Sequence, residues 1–181
     1  MTITLCMICG NEAAVIERCL DSAAGAFDEL CLVRAIGEQP ADNTLDLAKA
    51  WCATHGKAFK SGEHFNSVPG LPHVYNFAAA RNMSFDLATG DWCLWLDCDD
   101  YLDDINCRRI REAVATTLHS AIFCSYRVEH EGANILRERL IKRGHGRWKN
   151  NVHETCVLTE PACECPQIEI FHRDHKAKHL S

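Results

Sequence analysis

The chain has 181 residues, 47% of them hydrophobic and 24% charged, which is enough to bury a core and excludes a disordered polymer. Its formal net charge is −6 with no basic block, which argues against nucleic acid or an anionic membrane as its partner. No apolar run reaches the roughly 18 residues that a membrane span needs.

Met1 to Cys9 carries neither a basic lead nor a small-residue cleavage site, so a secretory signal is not expected. The twelve cysteines are scattered, and Cys6, Cys9, Cys31, Cys93 and Cys124 sit inside apolar runs. They read as reduced, buried thiols, and a cytoplasmic location is expected. Cys6 and Cys9 are three apart on a predicted strand and face opposite sides, which makes a poor chelate. Cys163 and Cys165 form the better pair for a metal or a disulfide, but no second pair at finger spacing accompanies them.

The elements alternate. Ile3 to Cys9 is a nearly continuous apolar run, as in a strand covered on both faces. Asn11 can cap a helix to about Asp21. Glu29 to Ile36 is a second strand, and Asp42 or Asn43 can cap a helix containing Leu45, Ala48 and Trp51. Lys57 to Lys60 is a short third strand, and residues 61–74, with Gly62, Pro69, Gly70 and Pro72, read as a loop. A helix is predicted from Asn76 to Ala88, closed by Gly90, then a strand from Asp91 to Leu96 that runs into Asp97-Cys98-Asp99-Asp100. Asp103 or Asp104 starts a helix to about Leu118, and strands follow at Ser120–Val128 and Ile135–Ile141. The polar remainder, rich in His, Trp and Cys, carries no predicted element apart from an apolar segment at Ile168 to Phe171. This order predicts an α/β fold with a largely parallel sheet in three layers, forming a single domain over 1–181. The ligand crevice of such a sheet lies outside the carboxyl ends of its strands, where residues 97–100 fall.

Asp97 and Asp99 are two apart, so in extended backbone both carboxylates face one side, with Asp100 beside them. That set suits a hard divalent ion, Mg²⁺ or Mn²⁺; the plain alternative is a solvated acidic turn capping the next helix. Arg81 lies on an alanine-rich helix from which its fork of donors can reach a diphosphate, or else simply meet solvent. His153-Glu154 can supply a general base near a metal, or ordinary surface polarity. His172 is a lone candidate ligand, against the reading of a core or solvent-facing histidine.

Together these residues resemble glycosyltransferase family 2, of the GT-A fold. The resemblance begins at Thr4 to Glu12 and continues through Arg18-Cys19-Leu20-Asp21-Ser22. Its most specific part is Phe77-Ala78-Ala79-Ala80-Arg81-Asn82 followed by Ala88 to Asp100 with its Asp-x-Asp order. Trp148 to Glu154, ending Val152-His153-Glu154, resembles an acceptor-side segment of a bacterial branch. The likeness spans about residues 3–175 and weakens after 101.

The resemblance implies a GT-A, Rossmann-like, three-layer sandwich and a metal-dependent sugar transfer from a nucleotide sugar with inversion. It implies that Cys6, Met7, Ile8, Cys9, Asn11 and Glu12 line the nucleotide pocket, and that Arg81 and Asp97 contact the donor. Asp99 would bind Mn²⁺ or Mg²⁺, with Asp97 and His172 as further ligands; Glu154 would be the base, with Asp100 the next carboxylate to consider. A UDP-sugar is the favoured donor, other bases remaining open, and the acceptor is a glycan, a lipid-linked sugar or a protein. One departure matters. Arg34 stands where the family usually places an acidic residue that reads the base, and an arginine accepts no hydrogen bond. Glu38 or Asp42 takes that role, or the base preference differs. The chain also stops soon after His172, where family members commonly continue, as expected of a trimmed domain or a minimal transferase. The rival readings are an inactive nucleotide- or carbohydrate-binding module of the same fold, a related nucleotidyltransferase, and a zinc module using Cys163, Cys165, His172 and His175.

Overall fold

The first strand, β1 (Ile3–Cys9), is buried at all its positions, because both faces of the sheet are covered. Ile3, Leu5, Met7 and Cys9 enter the main core, while Cys6 and Ile8 point to the opposite layer. In the computed structural model, residues 1–65, 68–70, 74–128 and 132–172 are described.

The remaining elements are α1 (Ile16–Ala23), β2 (Glu29–Ile36), α2 (Thr44–Thr54), β3 (Ala58–Phe65), α3 (Phe77–Leu87), β4 (Trp92–Trp95) and β5 (Asp100–Tyr101). They continue with α4 (Asp104–Thr116), β6 (Ala121–Val128), β7 (Ala133–Lys142), β8 (Gly146–Lys149), β9 (Thr155–Leu158) and β10 (Ala162–His172). Among the described residues, eight strands form one sheet in the order β3-β2-β1-β4-β7-β6-β10-β5. The pairs among β3, β2, β1 and β4 are parallel, β7 is antiparallel to β4 and β6, and β10 is parallel to β6. β8 and β9 make a separate hairpin sheet.

Helix α1 buries Ile16, Cys19, Leu20 and Ala23, a spacing of three and four that draws one apolar stripe toward the sheet. It packs against α2 and α4 on the main-core face. The opposite face is covered by α3, which contacts β1, β2, β3 and β8. This is the expected three-layer α/β arrangement with a mostly parallel sheet.

Several elements differ from expectation. α1 starts at Ile16 because Asn11 does not cap it; its side chain instead donates to the Pro40 carbonyl and accepts the Asp42 N–H. β3 runs on to Phe65 through residues expected to be loop, since every residue from Ala58 to Phe65 pairs in register with β2. The edge position explains its polar composition, with Lys60, Glu63 and His64 on it. The polar C-terminal remainder forms β8, β9 and the long β10. A register shift between Cys165 and Glu169 accommodates Pro166, which has no N–H to donate, and Ser125 Oγ donates to the Pro166 carbonyl at 2.8 Å.

The twelve cysteines are free thiols, ten of them buried. Cys163 and Cys165 lie on β10 and pack against the main core. Among the described residues, neither belongs to a group able to hold a metal, and His175 lies outside the described residues.

Candidate active site

A cavity of about 970 Å³ opens at the carboxyl ends of β1, β2 and β4. Ile8, Cys9, Asn11 and Glu12 line one end of it, together with Ala35, Ile36, Gly37 and Gln39. Asp97 and Asp99 lie along it, and Val152, His153 and Glu154 bound its far side.

The position of Arg81 follows from how α3 is tied down. The Asn76 side chain caps the helix by accepting the Ala79 N–H at 2.9 Å, and Phe77 N–H donates to the Asn151 carbonyl. Asn82 clamps β8 twice, donating to the Trp148 carbonyl and accepting the Trp148 N–H, each at 2.9 Å. The segment carrying Glu154 is thereby held against the helix carrying Arg81. Non-glycine residues Asn150 and His153 take positive φ angles of 72° and 55° in this segment. Such backbone is costly and persists where surrounding contacts fix it.

Arg81 donates through Nε to Glu154 Oε1 at 2.7 Å and through a terminal nitrogen to Asp97 Oδ1 at 2.9 Å. Its guanidinium lies 4.5 Å from the Trp95 ring and 5.2 Å from that of Trp148. Burial works against the charged guanidinium, but Asp97 and Glu154 outweigh it and raise its pKa. Burial likewise pushes the Asp97 carboxyl up, and the Arg81 and Arg139 charges overcome this and hold it below the usual range. The Asp97 side chain keeps 36% exposure and that of Glu154 14%. Glu154 Oε2 takes no hydrogen bond from any described residue, and Glu154 lines the cavity.

A second knot lies beneath. Arg139 and Asp100 have side-chain exposures of 1% and 0% and pair at 3.0 Å. The Arg139 guanidinium sits between the rings of Trp95, at 3.8 Å, and Tyr126, at 4.2 Å, and also donates to the Trp95 carbonyl. Asp100 additionally accepts the Asp97 N–H at 3.0 Å and the Tyr126 hydroxyl at 3.1 Å, and faces His172 Nδ1 at 3.3 Å. The β6–β7 register skips Arg139, passing from the pair Ile122/Leu140 to Phe123/Glu138, and a bulge of this kind re-aims a side chain.

Asp99, Asp100 and His172 present ligand atoms within 4.8 Å of one another. Burial raises the Asp99 carboxyl, with Asp100 and Asp97 adding to it against the opposing pull of His172. His172 is raised, first by its hydrogen bond with Asp100. Crowded oxygen donors beside an imidazole fit a hard divalent cation. Asp100 is committed to four protein contacts, so it orients His172 and the Asp97 backbone, leaving Asp99 and His172 as the candidate ligands.

Several residues singled out from the sequence lie away from the cavity. Cys6 and Met7 do not line the cavity, because Cys6 packs under Phe85 and Ala88 of the α3 layer and Met7 lies in the main core. Glu38 is also absent from it and accepts the Gly70 N–H at 2.9 Å. Asp42 serves the backbone, accepting the Thr44 and Ala13 N–H groups, and is not at the cavity. Arg34 is paired with Glu63 across to β3. Asp100 has no exposed side-chain surface and does not line the cavity. Arg139, Tyr126 and Trp95 were missed as site residues. The available signal was the charged run Arg137-Glu138-Arg139 inside the strand from Ile135 to Ile141.

Comparison with known proteins follows the same lines. The family profile for glycosyl transferase family 2 matches residues 4–165. A PGL/p-HBAD biosynthesis glycosyltransferase of Mycobacterium bovis is 34% identical over 143 residues, covering 76% of this chain and 46% of the relative. The glycosyltransferase SunS of Bacillus subtilis is 27% identical over 158 residues, covering 84% of this chain and 34% of the relative. The chain therefore spans less than half the length of these curated relatives. Among solved structures, the mannosyltransferase PcManGT from Pyrobaculum calidifontis, in complex with GDP-Man and Mn²⁺, superposes with a TM-score of 0.64 at 18% identity. That match covers 94% of this chain and 56% of that one. S. aureus TarS 1–349 in complex with UDP gives a TM-score of 0.58 at 16% identity, covering 76% of this chain and 38% of that one. The fold is that of the GT-A glycosyltransferases, and with most of its length matched by the family profile, the chain belongs to glycosyl transferase family 2.

Proposed function

We propose that the chain is a metal-dependent glycosyltransferase that moves a sugar from a nucleotide-sugar donor to a hydroxyl acceptor with inversion. The observation that carries this is the convergence of Asp97, Asp99 and Glu154 on one cavity at the carboxyl ends of β1, β2 and β4.

In this reading the nucleotide lies over Ile8 to Glu12, residues 35–37 and Gln39, and a UDP-sugar is the favoured donor. The base meets a wall of Ala35, Ile36, Gly37 and Gln39, since Arg34 and Asp42 are engaged elsewhere. The Gln39 amide offers both a donor and an acceptor there. Asp99 and His172 would hold Mn²⁺ or Mg²⁺, which would supply charge neutralisation for the diphosphate. Asp97, fixed by Arg81, faces the donor sugar. Glu154 Oε2 accepts the proton of the acceptor hydroxyl as that oxygen attacks the anomeric carbon. Arg81 holds Glu154 through its other oxygen, so the base is oriented while its reacting oxygen stays free. The acceptor is a glycan, a lipid-linked sugar or a protein. Among the described residues no helix is long and apolar enough to cross a membrane.

The test is a panel of UDP-, GDP-, CDP- and ADP-sugars with Mn²⁺, monitored for release of nucleoside diphosphate. Release from at least one donor, lost on chelation and restored by Mn²⁺, is the expected result. Release of pyrophosphate would instead indicate nucleotidyl transfer, and no binding of any nucleotide with Mn²⁺ would remove the donor site.

A further inference from the structure

Trp95 is a platform for three guanidinium groups. Arg139 lies 3.8 Å, Arg81 4.5 Å and Arg137 5.3 Å from its ring. All three arginines line the cavity. Two are neutralised by close carboxylates: Arg81 by Asp97 and Glu154, and Arg139 by Asp100. Arg137 differs. Its one carboxylate neighbour among the described residues is Glu138, 3.6 Å from Nε and beyond hydrogen-bond distance. No described residue accepts a hydrogen bond from its terminal nitrogens, and its side chain keeps 32% exposure. A guanidinium laid over an indole beside a cavity, with its fork unoccupied, is built to take a planar or tetrahedral oxyanion.

The location assigns that anion to one substrate. The nucleotide end of the cavity is formed by β1 and β2, and in sheet order β7, which carries Arg137, lies beyond β4 on the other side of Asp97. Arg137 shares the Trp95 indole with Arg81, which holds Glu154. An acceptor that offers its hydroxyl to Glu154 thus passes over the same indole as Arg137.

We infer that the acceptor carries a phosphate or carboxylate group, bound by Arg137 against Trp95. This rests on the glycosyl-transfer reading of the cavity. Wild-type protein is first loaded with Mg²⁺ and UDP, or with GDP if UDP does not bind. Methyl phosphate is then titrated calorimetrically, with methanol as the neutral counterpart. The expected result is saturable binding of methyl phosphate alone. Arg137→Met and Arg137→Gln weaken it about tenfold or more, Arg137→Lys retains part of it, and nucleotide affinity is unchanged. The inference is overturned if loaded wild-type protein ignores methyl phosphate or if the Met and Gln variants bind it equally well. It is also overturned if nucleotide affinity falls with phosphate affinity, for Arg137 then serves the donor diphosphate. Failure of the loading step itself overturns the donor reading, and it is seen before any phosphate is added.

Discussion

Two buried carboxylates, at opposite ends of the sheet, are stabilised in different ways. Glu29 opens β2 at the end remote from the cavity. It accepts hydrogen bonds from Thr4 Oγ1 at 2.6 Å and from Thr89 N and Oγ1 at 2.8 Å, and it pairs with Lys60 at 2.9 Å. Thr4 Oγ1 in turn accepts the Gly90 N–H, and a side chain at position 90 would put its Cβ 2.8 Å from that oxygen. Asp100, beneath the cavity, depends on a single fully buried guanidinium, one backbone amide, a phenol and an imidazole. Glu29 is satisfied by three neutral donor groups and by Lys60, whose side chain is 37% exposed, so the loss of one threonine partner leaves the charge still paired. Asp100 and Arg139 neutralise each other where water does not reach, so removing one strands the other. The remote end uses its acid to tie β1, β2 and the α3–β4 turn together; the cavity end uses its acid to fix the Asp97 backbone and the His172 imidazole, itself a candidate metal ligand.

The largest expected effect is that of Asp100→Ala. It leaves Arg139 as an uncompensated buried cation, a change that costs about 3–5 kcal/mol. Urea unfolding measures this, and a loss below about 1 kcal/mol would break the contrast, because Asp100 would then be as replaceable as a surface acid.

Next is Glu154→Gln, which keeps the shape and removes the carboxylate proposed as the base. Turnover at saturating donor and acceptor should fall about 10²–10⁴-fold, with donor affinity nearly unchanged. Normal turnover would reduce Glu154 to a partner of Arg81 that merely orders the loop.

Glu29→Gln sharpens the other side of the comparison. Burial alone would raise the Glu29 carboxyl, but its hydrogen bonds from Thr4, Lys60 and Thr89 outweigh burial and hold it at about 2, against an ordinary value of 4.5. Because the folded-state value is depressed, its contribution is complete above about 4.5 and is lost as pH falls from there toward about 2. Unfolding free energy measured between pH 2 and 6 should therefore show a shallower acid limb in the Gln variant. At neutral pH the variant should lose about 1–3 kcal/mol, and turnover should not change. An unaltered acid limb would remove Glu29 as the source of that dependence.

The smallest effect is expected at Asp42, whose oxygens accept N–H groups from Thr44 and Ala13. Asp42→Ala should cost about 1 kcal/mol by thermal unfolding and leave the preference among UDP, GDP, CDP and ADP untouched. A changed preference would return Asp42 to the nucleotide site.

Much of the sheet was legible because a strand buried on both faces has few sequence disguises. Ile3 to Cys9 and Glu29 to Ile36 have the same boundaries in sequence and structure. β3 and β10 were under-read because their strand character comes from neighbours. β3 gains its ladder from β2, and β10 from β6, while their side chains alternate with solvent. Asp97, Asp99, Arg81 and Glu154 could be picked out since charged side chains after an apolar strand, or on an alanine-rich helix, stand out locally. That Arg81 bridges two of them, 16 and 73 residues away in sequence, could not be read, because no spacing rule links α3 to the loop after β8.

The sequence by itself determined the alternation of strands and helices, the acidic turn at the end of β4 and the family, because apolar periodicity and residue order are local properties. Only the tertiary structure decided the charge and exposure around each carboxylate. Asp100 faces inward because a β7 bulge turns Arg139 beneath it, and Asp97 and Glu154 keep access to the cavity because Arg81 lies between them. Whether a carboxylate is a ligand, a base or a keystone depends on the charge and exposure that distant segments give it, and neighbouring residues in the chain do not encode that.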